Sequence, residues 1–145
     1  MPRECDRFHE ISFAIRGAID LDRVSQKELS KVKDMTEQLA DKKCVPCKGG
    51  VPPLKGKELE ALHKSVPQWK VIDQHHITRA YTFPDFKQAL EFVNRVGALA
   101  EEQGHHPDIV LTWGKAEITM WTHKIDGLTE SDFIMAAKID RLSAG

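Results

Sequence analysis

The stretch EEQGHHPDIVLTWGKAEITMWTHKIDGLTESD, Glu101 to Asp132, decides the fold. Its first residues close a helical pattern, and Gly104 is the stop, a residue free to take the left-handed conformation that ends helices. Asp108 to Trp113 and Lys115 to His123 then alternate polar and apolar residues around a turn at Gly114, which predicts two antiparallel strands. In the second strand Ala116, Ile118, Met120 and Thr122 point one way, and Lys115, Glu117, Thr119, Trp121 and His123 the other. Leu128 to Asp132 opens a further helix that runs to about Leu142, with Phe133, Ala136, Ala137 and Ile139 or Asp140 along its stripe.

Upstream the same unit recurs. Pro84-Asp85 starts the strongest helix of the chain, with Phe86, Ala89, Leu90, Val93, Val96, Gly97 and Ala100 at helical spacing through to about Gln103. Before it, Trp69 to Ile72 and His76 to Phe83 read as a strand pair around Asp73-Gln74-His75, with Ile77, Arg79, Tyr81 and Phe83 on one face. Gly56 to Val66 predicts a short helix with Leu59, Leu62 and Val66 on one side, closed by Pro67. The order from residue 56 is helix, two strands, helix, two strands, helix. Tight turns within each strand pair imply an antiparallel sheet. The fold class expected is α+β: a two-layer sandwich with a four-stranded antiparallel sheet and helices on one face. The other face and the sheet edges are places for self-association.

Three regions are expected along the chain. Residues 1–34 form an N-terminal extension, poorly packed or partly helical, with balanced charges and scattered apolar residues such as Phe8, Ile11, Phe13, Ile15 and Ile19. Ser25 and Glu28 have capping-box spacing, and Leu29, Val32, Thr36 and Leu39 make a narrow stripe, so a helix is predicted from about Gln26 to Ala40. Met35 lies inside it, and a chain starting there is expected to keep full activity and assembly. Residues 35–54 form an irregular arm in which Cys44 and Cys47 make a Cys-x-x-Cys pair among Pro46, Gly49, Gly50, Pro52 and Pro53. Two thiols supply half the ligands of a structural zinc, and no second pair follows, so metal or redox use is disfavoured. Residues 55–145 are the folded domain.

Composition narrows the class. A chain of 145 residues with 41% hydrophobic and 30% charged residues suits one soluble globular domain. No apolar run approaches the roughly 20 residues of a spanning helix, and no secretory apolar core opens the chain, so a cytoplasmic location and no membrane partner are expected. A net charge of -1 without a basic run argues against direct nucleic-acid binding.

The chemistry concentrates in the opening stretch. His105 and His106 precede Pro107, His123 ends the second strand, and Glu101 and Asp132 flank the set. Each has a structural reading. Asp132 stands three residues after Thr129, where a carboxylate caps a helix; Glu101 is a solvated helix residue; Trp113 and Trp121 pack on the sheet; His75 and His76 are solvated turn residues. Metal binding is disfavoured, because neighbouring histidines diverge and no helical His-x-x-x-His or Glu-x-x-His occurs. Histidine gives and takes protons near pH 7, and no Ser or Cys nucleophile, phosphate loop or dinucleotide fingerprint competes. The residues alone lead to a metal-free acid–base or binding site on an α+β sandwich.

At these residues the sequence resembles the pterin-4a-carbinolamine dehydratase (4a-hydroxytetrahydrobiopterin dehydratase) family. Its signature is met by Glu101, His105-His106-Pro107, Trp113, His123 and Asp132. Pro67-Gln68-Trp69, the segment Arg79 to Phe86, Gly127 to Asp132 and the CVPCKGGVPPL arm are also similar, so the likeness spans about Met35 to Leu142 and leaves out residues 1–34. It implies a hydro-lyase that dehydrates a 4a-hydroxytetrahydropterin to a quinonoid dihydropterin in pterin recycling for aromatic amino-acid hydroxylases. It implies His105 and His123 as the acid–base pair, and His106, Glu101, Pro107, Trp69 and Asp132 as substrate-binding residues. No metal or organic cofactor is implied, since the pterin is the substrate. The partners implied are a second copy or more, as a homodimer or homotetramer, and a link to an aromatic amino-acid hydroxylase. The rival implied by some relatives is a non-catalytic dimerisation or assembly cofactor of another protein.

Overall fold

The computed structural model describes residues 22–45 and 49–145. The chain divides into two units, residues 1–34 and 35–145. Among the described residues no helix is long and apolar enough to cross a membrane.

Helix α1 spans Asp22–Ala40. It begins earlier than the capping-box spacing indicated, so Ser25 lies within the helix rather than at its cap. In the second unit its end is anchored: Leu39 and Ala40 are buried in the core, and the Thr36 hydroxyl donates to the Ser65 carbonyl. Helix α2 spans Gly56–His63, shorter than expected. Its last turn tightens instead of extending to Pro67: Ser65 N–H donates to Leu62 O and Val66 N–H to His63 O.

The sheet has four antiparallel strands, β1 (Lys70–Ile72), β2 (His76–Thr82), β3 (Asp108–Thr112) and β4 (Lys115–Met120), in the order β1-β2-β4-β3. The β1–β2 turn takes positive φ at both Asp73 and Gln74, and His75 N–H donates to Ile72 O at 2.9 Å. The chain thus accepts left-handed residues without the usual glycine. At the β3–β4 turn a Cβ on Gly114 would lie 2.8 Å from the Phe83 carbonyl oxygen, so only glycine fits. The Gly114 carbonyl in turn accepts from Phe83 N–H at 2.8 Å, fastening this hairpin to the end of β2.

Helix α3 spans Phe86–Gln103, with Asp85 as the N-cap accepting from Gln88 N–H at 2.8 Å and Gly104 as the left-handed C-cap at φ 62. Its Ala89, Phe92, Val96 and Ala100 are buried against the inner sheet face, where Ile77, Tyr81, Ala116, Ile118 and Met120 point. Helix α4 spans Glu130–Ala144. A single apolar stripe was expected for it, yet every residue from Ser131 to Ala137 is buried. α4 is covered by the sheet on one side and by other helices and the arm on the rest, so small residues such as Ala136 and Ala137 serve it better than an amphipathic pattern.

One inward position of β2 is charged. Arg79 pairs with Asp140 of α4 at 2.6 Å, and the same Asp140 oxygen accepts from Tyr81 Oη at 2.6 Å and Trp69 Nε1 at 2.9 Å. Burial, reinforced by the negative charge and hydrogen bond of Asp140, pushes the Tyr81 hydroxyl far above its ordinary range, with Arg79 opposing. The outer sheet face is polar along its middle, where Thr119 Oγ1 donates to Thr78 Oγ1 at 3.3 Å, and the edge strand β3 exposes Val110.

Candidate active site

Two helix ends meet at the site. The left-handed Gly104 turns the chain out of α3, with His105 N–H donating to Ala100 O at 3.2 Å, so the His105 side chain leaves directly from the cap. Opposite it, Asp132 is the third residue of α4 and reaches back to Thr129 N–H at 2.8 Å in a capping box. The His105 Nε2 lies 2.6 Å from Asp132 Oδ1. Asp132 Oδ2 also accepts from Thr122 Oγ1 at 2.9 Å and Thr129 Oγ1 at 3.3 Å. One oxygen therefore caps the helix while the other holds His105. A carboxylate acceptor assigns the imidazole proton to Nε2 and leaves Nδ1 as the acceptor nitrogen of the ring.

His106 points elsewhere. Its Nε2 lies 2.7 Å from Glu101 Oε1, across the same helix cap, with both side chains largely in solvent. His123 was expected at the end of a strand. β4 stops at Met120, and His123 instead opens a single 3₁₀ turn, His123–Ile125. The cause is local: Thr122 makes an isolated bridge to Gly127, which closes the chain into a tight loop and ends the ladder. Among the described residues no carboxylate reaches the His123 ring; it rests against Trp121, centroids 4.0 Å apart.

A pocket of about 280 Å³ is lined by Gly104, His105, His106, Trp121, Thr122, His123 and Lys124. That is close to the lower end for small-molecule sites. The structure thus brings His105, His106 and His123 to one pocket, with Asp132 behind His105 and Glu101 beside His106. Pro107 follows the pair without lining the pocket. Trp69 is not part of this group: it is 1% exposed in the core, with its indole N–H on Asp140. Trp113 does not pack on the sheet but stands 71% exposed at the β3–β4 turn.

Sequence reasoning missed three contributors. Thr122, which orients Asp132, was legible only as a polar residue on an otherwise apolar face. Trp121 lines the pocket and donates to Asp108 Oδ2 at 3.1 Å. His75 is not a freely solvated turn residue, since it packs on Trp121 at 4.7 Å and pairs with Asp126 at 2.9 Å.

Among the described residues no group of three or more His, Cys, Asp or Glu side chains is placed to hold a metal ion. Cys44 is half-buried, and burial pushes its thiol up, with Lys138 opposing and Asp132 adding to the rise. Cys47 lies outside the described residues, and so does the geometry of the Cys-x-x-Cys pair.

The family model described as pterin 4 alpha carbinolamine dehydratase matches residues 52–142, the span that carries all four strands and both helix ends of the site. The chain belongs to the pterin 4 alpha carbinolamine dehydratase family. A relative from Rubrobacter xylanophilus, named "Putative pterin-4-alpha-carbinolamine dehydratase", is 68% identical over 105 residues, covering 72% of this chain and 98% of its own. A protein of the same name from Rickettsia bellii is 54% identical over 109 residues, covering 74% of this chain and 96% of its own. Among solved structures, "transcriptional coactivator/pterin dehydratase from Brucella Melitensis" superposes with a TM-score of 0.59 at 30% identity, covering 62% of this chain and 97% of its own. The α+β fold with an open four-stranded antiparallel sheet is that of this pterin dehydratase neighbour.

Proposed function

We propose that this chain dehydrates a 4a-hydroxytetrahydropterin to the quinonoid dihydropterin and water, with His105 and His123 as the acid–base pair. The observation that carries the reading is the single pocket lined by three histidines, two from a helix cap and one from a distant 3₁₀ turn, in a chain of this family. One imidazolium protonates the 4a-hydroxyl, which leaves as water as the N5 lone pair forms the C4a=N5 bond. The N5 proton passes to a neutral imidazole, so the two histidines exchange roles without net change. Asp132 fixes the His105 ring and its tautomer. His106, paired with Glu101 at the rim, binds and orients the substrate. The pterin is substrate, and the reaction needs no further cofactor. Aromatic amino-acid hydroxylases are the class of enzyme that generates this hydroxypterin, so the protein works in their cytoplasmic recycling step.

The decisive experiment follows dehydration of a 4a-hydroxytetrahydropterin against its spontaneous rate, with wild type and His105→Ala. The expected result is acceleration by wild type and its loss in the variant. No acceleration by wild type ends the enzymatic reading.

A second reading is an assembly or dimerisation role toward another protein. The Brucella neighbour, described as a transcriptional coactivator as well as a pterin dehydratase, favours it, together with the edge strand β3 here, which exposes Val110. The same edge supports a homodimer or homotetramer, which light scattering on the full chain tests directly.

A further inference from the structure

The three pocket histidines are not held alike. His105 and His106 each have a carboxylate on Nε2, whereas the His123 ring is exposed and, among the described residues, rests on Trp121 alone. A proton-transfer group cannot be left to swing, because small errors in placement are costly in rate. What holds Trp121 is therefore worth following.

Trp121 touches two imidazoles. The His123 ring is tilted against it with centroids 4.0 Å apart, and the His75 ring, from the turn between β1 and β2, is tilted against it at 4.7 Å. The indole N–H donates to Asp108 Oδ2 at 3.1 Å, which fixes the ring edge. His75 has partners in turn: its Nε2 lies 2.9 Å from Asp126 Oδ1, and its Nδ1 lies 3.1 Å from His76 Nδ1. Asp126 belongs to the loop that begins at His123. It sits at φ 50 directly after the 3₁₀ turn, with its N–H donating to His123 O at 3.3 Å. The contacts form a closed circuit: His123 to Trp121 to His75 to Asp126, and back to His123 through the backbone.

We infer that His75 and Trp121 are positioning residues for His123, the Asp126–His75–Trp121 stack setting where the His123 imidazole stands at the pocket. His75 makes no contribution to the pocket lining, so it acts through Trp121 rather than on substrate. This role rests on the reading that His123 moves a proton, but the circuit itself does not.

The test uses the full chain with His75→Ala, Asp126→Ala and His75→Phe, the last keeping a ring on Trp121. The first readout is the His123 ring-proton resonance without substrate, which senses the Trp121 ring current. It is expected to move toward that of an unstacked histidine in His75→Ala and Asp126→Ala, with the His105 resonance unchanged, and to return most of the way in His75→Phe. The second readout is dehydration kinetics: kcat in His75→Ala is expected to fall about tenfold, with KM changed less than about threefold. An unmoved His123 resonance in His75→Ala overturns the inference, and so does a rise in KM with kcat intact, which would make the stack a binding wall. If wild type fails to accelerate dehydration, the catalytic reading falls while the resonance still decides whether the stack positions His123.

Discussion

His105 and His106 are consecutive residues, and each presents Nε2 to a carboxylate oxygen, at 2.6 Å and 2.7 Å. By distance the two pairs are the same interaction. By surroundings they are opposites. The His105–Asp132 pair has side-chain exposures of 15% and 0%, against 61% and 80% for His106–Glu101. Asp132 also serves Thr122 and Thr129, so its loss strands several buried or half-buried donors at once. Among the described residues Glu101 pairs with His106 alone, a histidine that water could satisfy equally well. The inner pair is largely shut off from water, whereas the outer pair is open to it. Equal contact lengths thus conceal different energetics, and burial separates them.

The comparison is broken or sharpened first by activity. His105→Ala is expected to lower kcat by about 10²–10⁴-fold, whereas His106→Ala is expected to act mainly through KM. Steady-state dehydration kinetics on both variants decides it, and equal losses of kcat would erase the distinction.

Stability gives the next contrast. Asp132→Ala is expected to cost about 3 kcal/mol in denaturant unfolding, because it leaves a buried hydrogen-bond network without its acceptor. Asp140→Ala, lower on the same helix, is expected to cost a similar amount by stranding Arg79, Tyr81 and Trp69. Only Asp132→Ala should also lower kcat of the protein that remains folded. A loss of kcat with Asp140→Ala would show that the two networks on α4 are coupled.

The Asp140 node also predicts a pH effect. The folded Tyr81 hydroxyl is raised by burial first and by Asp140 second. A raised tyrosine contributes stability in full below its unfolded value of about 10 and loses that contribution as pH rises beyond it. Tyr81→Phe is therefore expected to be less stable than wild type at neutral pH but to show a shallower alkaline decline, measured by thermal unfolding between neutral and strongly alkaline pH.

The smallest effect is expected at the outer pair. Glu101→Gln should change unfolding free energy by less than about 1 kcal/mol, with the difference shrinking further in salt. A larger loss would mean that the exposed pair is not exposed in the working assembly.

Much of this site was legible before any coordinates. Gly104 announced the turn that delivers His105, and the spacing from Thr129 announced Asp132 as a cap. The strand alternation separated Ala116, Ile118 and Met120 from their neighbours, and all three are fully buried. Less legible were interactions that cross many residues of chain. Asp132 was read as a cap instead of a histidine partner, though its two oxygens do both. His75 was read as solvent-facing because a hairpin turn usually is, and nothing in its neighbours names a tryptophan 46 positions on. Trp69 was read toward the site from the family likeness, whereas the core and Asp140 hold it.

By itself, the sequence determined the element order, the two antiparallel hairpins, the alternating faces of the second and fourth strands and the family, because these follow from local periodicity, turn chemistry and spaced motif residues. Tertiary structure decided which histidine is buried, which carboxylate oxygen caps and which holds a ring, and that His123 stands on a 3₁₀ turn against Trp121. Those outcomes depend on how two helix ends and a distant hairpin converge, and so on packing and desolvation, for which neighbours along the chain carry no code.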